Sequence, residues 1–165
     1  MGFRNLSIFN RALFAKQCWR LVMYPFSLAA RVLKSKYFAN CNFQVTKARG
    51  ADSFLWKSLI WGKVIFYAGS RWRVGNGRMV QIYKDRWLPR PSSFRPFSPP
   101  VLSLFATVDV LKSVTGGWNE LLVKLAFHPD DAALILSIPP SSVSVDDSMI
   151  WHFEEKGVYT VKSGY

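Results

Sequence analysis

The stretch Arg71-Trp72-Arg73-Val74-Gly75-Asn76-Gly77-Arg78-Met79-Val80-Gln81-Ile82-Tyr83-Lys84 decides the fold class, because the hydrophobic period changes there. Trp72 and Val74 alternate with Arg71 and Arg73, so a strand here carries one apolar and one cationic face. Val80 and Ile82 repeat the alternation after Asn76-Gly77, two residues that tolerate positive φ and close tight turns. The spacing predicts a β-hairpin over 71–84, with Val80 and Ile82 as the apolar partners.

Upstream, the period is helical. Phe9, Ala12, Leu13, Trp19, Val22 and Met23 predict an amphipathic helix over 6–23, capped by Asn5 or Ser7 and stopped by Pro25. A second helix is expected from Ser27 to about Tyr37, with Leu28, Val32 and Leu33 inward. A third is expected from Ser53 to near Gly69, with Trp56, Leu59, Ile60 and Val64 inward and Gly69 suited to a left-handed cap.

Downstream, Pro89 to Pro100 contains five of the nine prolines with serines among them, and reads as a linker or an extended surface loop. Val108–Lys112 and Trp118–Phe127 read as short helical pieces, and Asp130 or Asp131 as the cap of another through Ile138. Met149–Phe153 and Gly157–Lys162 alternate as a final hairpin. The class is therefore α+β. Its expected parts are a basic helical segment with a hairpin over 1–88, a Pro/Ser-rich linker over 89–103, and short helices with a closing hairpin over 104–165.

Charge narrows the choice of partner. There are 22 Lys and Arg against 10 Asp and Glu, a net charge of +12. Residues 1–90 hold 17 of the bases and two acids, Asp52 and Asp85, whereas residues 91–165 hold five bases and eight acids. This asymmetry points to a polyanion facing the first half, either nucleic acid or an anionic membrane. The candidate contacts are Arg11, Lys16 and Arg20 on the first helix, Arg31, Lys34 and Lys36 on the second, and Arg71, Arg73 and Arg78 in the hairpin. Trp19, Trp56 and Trp72 fall on apolar sides, so a core role is favoured over base stacking.

Cys18 and Cys41 are too few for a disulfide framework, which suits a reducing intracellular compartment, nuclear or cytoplasmic. With His128 and His152 far away in sequence, they lack the closely spaced pairs of a zinc site, and no cofactor is expected. No run approaches the roughly 18–20 apolar residues of a membrane span. Residues 1–51 contain no acid, a pattern that keeps a mitochondrial presequence or a basic membrane-surface helix open as the alternative.

The blocks also resemble a known family. Gly2-Phe3-Arg4-Asn5-Leu6, Phe9-Asn10, Ala12-Leu13 and Ala15-Lys16-Gln17-Cys18-Trp19-Arg20 are similar to a segment of plant non-LTR retrotransposon reverse transcriptases. Arg31 through Phe38, Ser53 through Leu59, Arg71 through Gly77 and Ile82 through Pro89 continue the resemblance in order. Trp151 and Gly157 through Tyr165 look like the entry to that family's zinc-binding domain. Asn5 stands where the family usually has Asp, and still caps a helix.

The resemblance implies a segment beyond the polymerase core that binds RNA or DNA, partnered in the parent protein by polymerase and zinc-binding domains. It also implies no catalysis by this chain alone, because the family's Tyr/Phe-Ala-Asp-Asp motif is absent and the zinc ligands would follow Tyr165. Asp130-Asp131 and Asp146-Asp147 lack that motif's context and are read as structural. A non-functional relic of such an element is the third reading.

Overall fold

The computed structural model describes residues 5–141 and 145–165, so Gly2-Phe3-Arg4 of the first block lies outside the described residues. Two compact units divide the chain. The first comprises Met1–Gly69 with Phe153–Tyr165, and the second comprises Ser70–His152.

In the first unit, helix α1 spans Leu6–Met23. Asn5 starts it by accepting hydrogen bonds from the Ser7 and Ile8 amides at 3.0 and 3.3 Å, which satisfies donors that the first turn leaves free. Helix α2 spans Leu28–Tyr37, capped by the Ser27 hydroxyl. Helix α3 spans Phe54–Gly69, with Ser53 Oγ accepting from Trp56 N at 3.3 Å. All three helices thus match the expected bounds.

Their inward faces match the expected ones in part: Ala12, Trp19, Trp56 and Leu59 are buried as expected. Helix α1 buries Ala12, Ala15, Cys18 and Trp19, and α3 buries Trp56, Ser58, Leu59, Gly62, Phe66 and Gly69. Small residues win because they let the two backbones approach closely. A methyl on Gly62 would lie 2.5 Å from Phe14 Cβ and 2.7 Å from Ala15 N, where no side chain fits. Leu13 and Val64, expected inside, are exposed. Helix α2 buries only Ala30 and leaves Leu28 and Val32 in solvent.

The unit closes through a distant segment. The Tyr159 hydroxyl donates to the Ala12 carbonyl at 2.9 Å across 147 positions, and the Tyr159 ring stacks near Trp19. The expected hairpin over 149–162 does not form. Residues 148–151 pair elsewhere, and Thr160 instead caps a short helix, Val161–Gly164, through Ser163 N.

In the second unit, strand β1 (Ser70–Arg73) pairs antiparallel with β2 (Ser148–Trp151), with Ser70 opposite Trp151 and Arg73 opposite Ser148. The hairpin expected over 71–84 is therefore replaced. After Val74 the chain wraps around a carboxylate. Asp147 accepts from the amides of Gly75, Gly77 and Met79 at 2.7, 2.9 and 2.9 Å. Gly77 has φ +82° and lies against Asp109 N, so neither a side chain nor a right-handed conformation fits there. Val80 and Ile82 are fully buried as expected, but their backbones bond to Val108 and Ala106 rather than to β1.

The core of this unit joins Val80, Ile82, Trp87, Leu88, Val108 and Leu111 to two helices, Glu120–Ala126 and Pro129–Ser137. The Pro/Ser-rich segment 89–103, expected as a linker or an extended surface loop, falls within the second unit. Phe94 anchors it, fully buried, with its carbonyl accepting from the Trp87 and Leu88 amides at 2.7 and 2.9 Å. Asp131 pins its far end through Phe97 N, Ser98 N and Ser98 Oγ at 2.9, 2.8 and 2.5 Å.

The architecture is α+β with a helical N-terminal half.

Candidate nucleic-acid interface

The structure sorts the nine candidate cations into three groups. Arg20, Arg31, Lys34, Lys36, Arg73 and Arg78 are exposed. Lys16 is half-exposed. Arg11 and Arg71 are engaged internally. Arg11 donates Nε to the Trp61 carbonyl at 3.1 Å, with its guanidinium 5.3 Å from the Trp61 ring, so it ties α1 to α3. Arg71 is half-buried and donates to His152 Nδ1 at 3.2 Å and to the Trp72 and Trp87 carbonyls at 3.4 Å. Burial, then neighbouring Arg73, lowers the Arg71 pKa, the expected result when a charged group leaves water near a like charge.

The supposed faces are also less unified than expected. At about 100° per residue, Arg11 and Arg20 fall on opposite sides of α1, whereas Lys16 lies near Arg20. On α2, Arg31 and Lys34 share a side, and Lys36 turns away from Arg31.

Ion pairing separates the units more sharply. The first unit carries 13 Lys and Arg against three acids, Asp52, Glu154 and Glu155. The second carries nine against seven. In the second unit Arg90 pairs with Asp131 and Lys124 with Glu120, and His128 Nδ1 lies 3.8 Å from Asp130; no ion pair joins described residues of the first unit. The first unit therefore presents cations that no described acid neutralises.

Lys47, Arg49 and Lys63 are among the cations of the first unit that the sequence reading did not single out. Lys47 and Arg49 are exposed beside Lys36 around a cleft of about 290 Å³. The available signal was Lys47-Ala48-Arg49 at the end of the acid-free run, but it sits on no periodic element. Lys63 points the other way, into carbonyls. Its Nζ donates to Phe43, Gln44 and Thr46 oxygens at 3.2, 2.9 and 2.5 Å, and burial lowers its pKa.

The aromatic residues divide as expected for Trp19 and Trp56, which are buried, while Trp72 is half-buried. The paired acids are structural in their contacts. Asp131 and Asp147 hold backbone amides, and Asp146 accepts from Asn76 Nδ2 at 2.9 Å. Among the described residues, no three His, Cys, Asp or Glu side chains gather with metal-ligand geometry, and no helix is long and apolar enough to cross a membrane.

Two proteins of Arabidopsis thaliana are similar to this chain. An uncharacterized mitochondrial protein is 32% identical over 98 residues, covering 59% of this chain and 64% of the relative. A putative ribonuclease H protein is 31% identical over 94 residues, covering 53% of this chain and 15% of the relative. The chain thus spans less than two thirds of either. No protein-family model and no solved structure matches it.

Proposed function

We propose that this chain is a non-catalytic piece of a retroelement reverse transcriptase, and that its first unit holds RNA or DNA by the phosphate backbone. The carrying observation is the surplus of 13 bases over three acids in that unit, with no ion pair among its described residues. Cations not neutralised at home are available to displace counterions from phosphates, and the entropy of that release drives binding. The ordered sequence blocks and the similarity to a protein named for ribonuclease H support the retroelement origin. In the parent protein, polymerase and zinc-binding domains would supply the chemistry and the remaining grip.

A second reading, a membrane-surface or mitochondrial protein, has its own support. Leu28 and Val32 lie one turn apart on α2, 76% and 54% exposed, near Arg31 and Lys34. One relative is also named as mitochondrial.

A titration of the full chain separates the readings, using single-stranded RNA, duplex DNA and anionic vesicles at rising salt. Backbone binding loses about 0.7 log units of affinity per decade of salt for each single-strand phosphate, and about 0.9 for duplex. Replacing Arg31 and Lys34 with Gln should flatten that slope without unfolding the chain. Vesicle binding that survives high salt, with no nucleic-acid binding at any salt, would overturn the proposal.

A further inference from the structure

The cleft between the end of α2 and residues 41–52 of the first unit has a composition that its surroundings do not explain. Lys36, Lys47 and Arg49 line it, together with Tyr37 and a single acid, Asp52. Among the described residues, no carboxylate or carbonyl accepts from the side chains of those three cations. Lys36 Nζ lies 5.3 Å from the Tyr37 ring centre, and that ring is stacked 4.3 Å from Trp56. Asp52 keeps its charge but is held to the backbone, its Oδ2 accepting from the Arg49 amide at 2.7 Å, and it makes no ion pair with the three cations. The Thr46 hydroxyl is likewise committed, donating to the Asn42 carbonyl at 3.0 Å.

Three cations against one engaged carboxylate leave the cleft with an excess of two positive charges. A concave wall raises the potential further, since low-dielectric walls concentrate field lines in the opening. The α2 C-terminus contributes a partial negative charge, which Lys34 and Lys36 in its last turn offset. A guanidinium and two ammonium groups on the residues that line one opening match a group with several anionic oxygens. The surrounding volume of about 290 Å³ leaves room for such a group with its waters.

We propose that this cleft is a phosphate-binding subsite, in which Lys36, Lys47 and Arg49 clasp one phosphate of a bound single strand. The proposal deepens the nucleic-acid reading and rests on it for the source of the phosphate. The cleft fixes one phosphate in place, whereas the exposed bases of α1 and α2 act by diffuse attraction. Tyr37, stacked against Trp56, forms one wall of the cleft and holds Lys36 Nζ against its ring.

The test uses the full chain, a short single-stranded RNA, inorganic pyrophosphate and anionic phospholipid vesicles. Lysine acetylation with peptide mass mapping reads Lys36 and Lys47, and Lys124 of the other unit is the internal control. RNA and pyrophosphate should each protect Lys36 and Lys47 several-fold and leave Lys124 unchanged. The double variant Lys47→Gln/Arg49→Gln should lose pyrophosphate protection at Lys36 and reduce the RNA salt slope by about 0.7, the loss of one single-strand phosphate. The pair Lys47→Arg/Arg49→Lys should retain both.

RNA that binds while Lys36 and Lys47 label at the free rate overturns the subsite and leaves the nucleic-acid reading standing. Pyrophosphate protection without RNA binding overturns the nucleic-acid reading and, with it, the assignment of the cleft to a strand phosphate. Protection by vesicles alone assigns the cleft to lipid headgroups and overturns the proposal as stated, and protection by none of the probes overturns it outright.

Discussion

In the first unit a cation gathers backbone carbonyls, and in the second, anions gather backbone amides. Lys63 Nζ holds the carbonyls of Phe43, Gln44 and Thr46, fixing the irregular segment between α2 and α3. Asp147 holds the amides of Gly75, Gly77 and Met79, and Asp131 holds those of Phe97 and Ser98. Both devices solve one problem, since loop backbone that leaves water needs partners for its polar groups. The difference lies in what remains. The second unit consumes its scarce acids in building itself, whereas the first has almost no acids and organises its loop with a lysine. Arg11 and Lys57 also donate to carbonyls, those of Trp61 and Gly50, but no acid pairs with a cation among the described residues of this unit, so its positive charge is left unneutralised.

The largest expected effect comes from cutting the anionic device. Asp147→Ala strands three amides in a poorly hydrated site, where each unsatisfied donor costs about 1–3 kcal/mol. The second unit should lose about 3 kcal/mol or more, read as a lower urea midpoint, while Asp147→Asn loses less. An unchanged midpoint for the alanine variant would remove the carboxylate from its organising role.

Cutting the cationic device should matter less. Lys63 is only half-buried, and carbonyls released near the surface can turn to water. Lys63→Met should cost about 1–2 kcal/mol in the first unit. A penalty as large as that of Asp147→Ala would break the contrast drawn between the two devices.

The smallest effect is a pH dependence confined to the second unit. Burial pushes the Asp131 carboxyl up, but Ser98 and Arg90 donate to it and hold it below its ordinary value. Its contribution is present above the unfolded pKa, about 3.9, and is lost as pH falls through the lower folded value. Burial, then Arg71, lowers the His152 pKa, and its neutral Nδ1 accepts from Arg71 Nε. The unfolded imidazole takes up its proton first, so this contribution is present above about 6.5 and declines below it. Urea midpoints taken from neutral to acid pH should show two steps. His152→Gln should flatten the upper step and Asp131→Asn the lower, and a profile insensitive to both would refute the assignment.

What the sequence made legible was whatever a few neighbouring residues decide. Asn5, Ser27 and Ser53 set helix starts, and Pro25 sets a stop, each by local backbone chemistry. The hairpin failed because its deciding partner is not local. Asn76-Gly77 does make a turn, but Asp147, 70 positions from Gly77, claims the amides there, and β1 finds its partner in Ser148–Trp151. On α1 and α3, Ala12, Trp19, Trp56 and Leu59 were read correctly as inward, but the small residues that complete those faces were missed for a related reason. Apolar periodicity ranks Leu13 and Val64 above Ala15 and Gly62, yet close backbone approach favours the smaller residues. Of the candidate site, the sign and location of the charge were readable. Which arginines were already engaged was not, because Arg71 is committed to His152 and the Trp87 carbonyl, which tertiary folding brings near.

The pairing of Ser70 with Trp151 also has a consequence for assembly on the ribosome. The second unit leaves and rejoins the first as a loop whose two ends are tied side by side, roughly 5 Å apart. Synthesis must run through that whole excursion before Tyr159 exists to dock on Ala12. Until then α1 and α3 emerge with their closing segment still untranslated. An interruption anywhere within 70–152 therefore deprives a unit that contains none of those residues of its Tyr159–Ala12 closure.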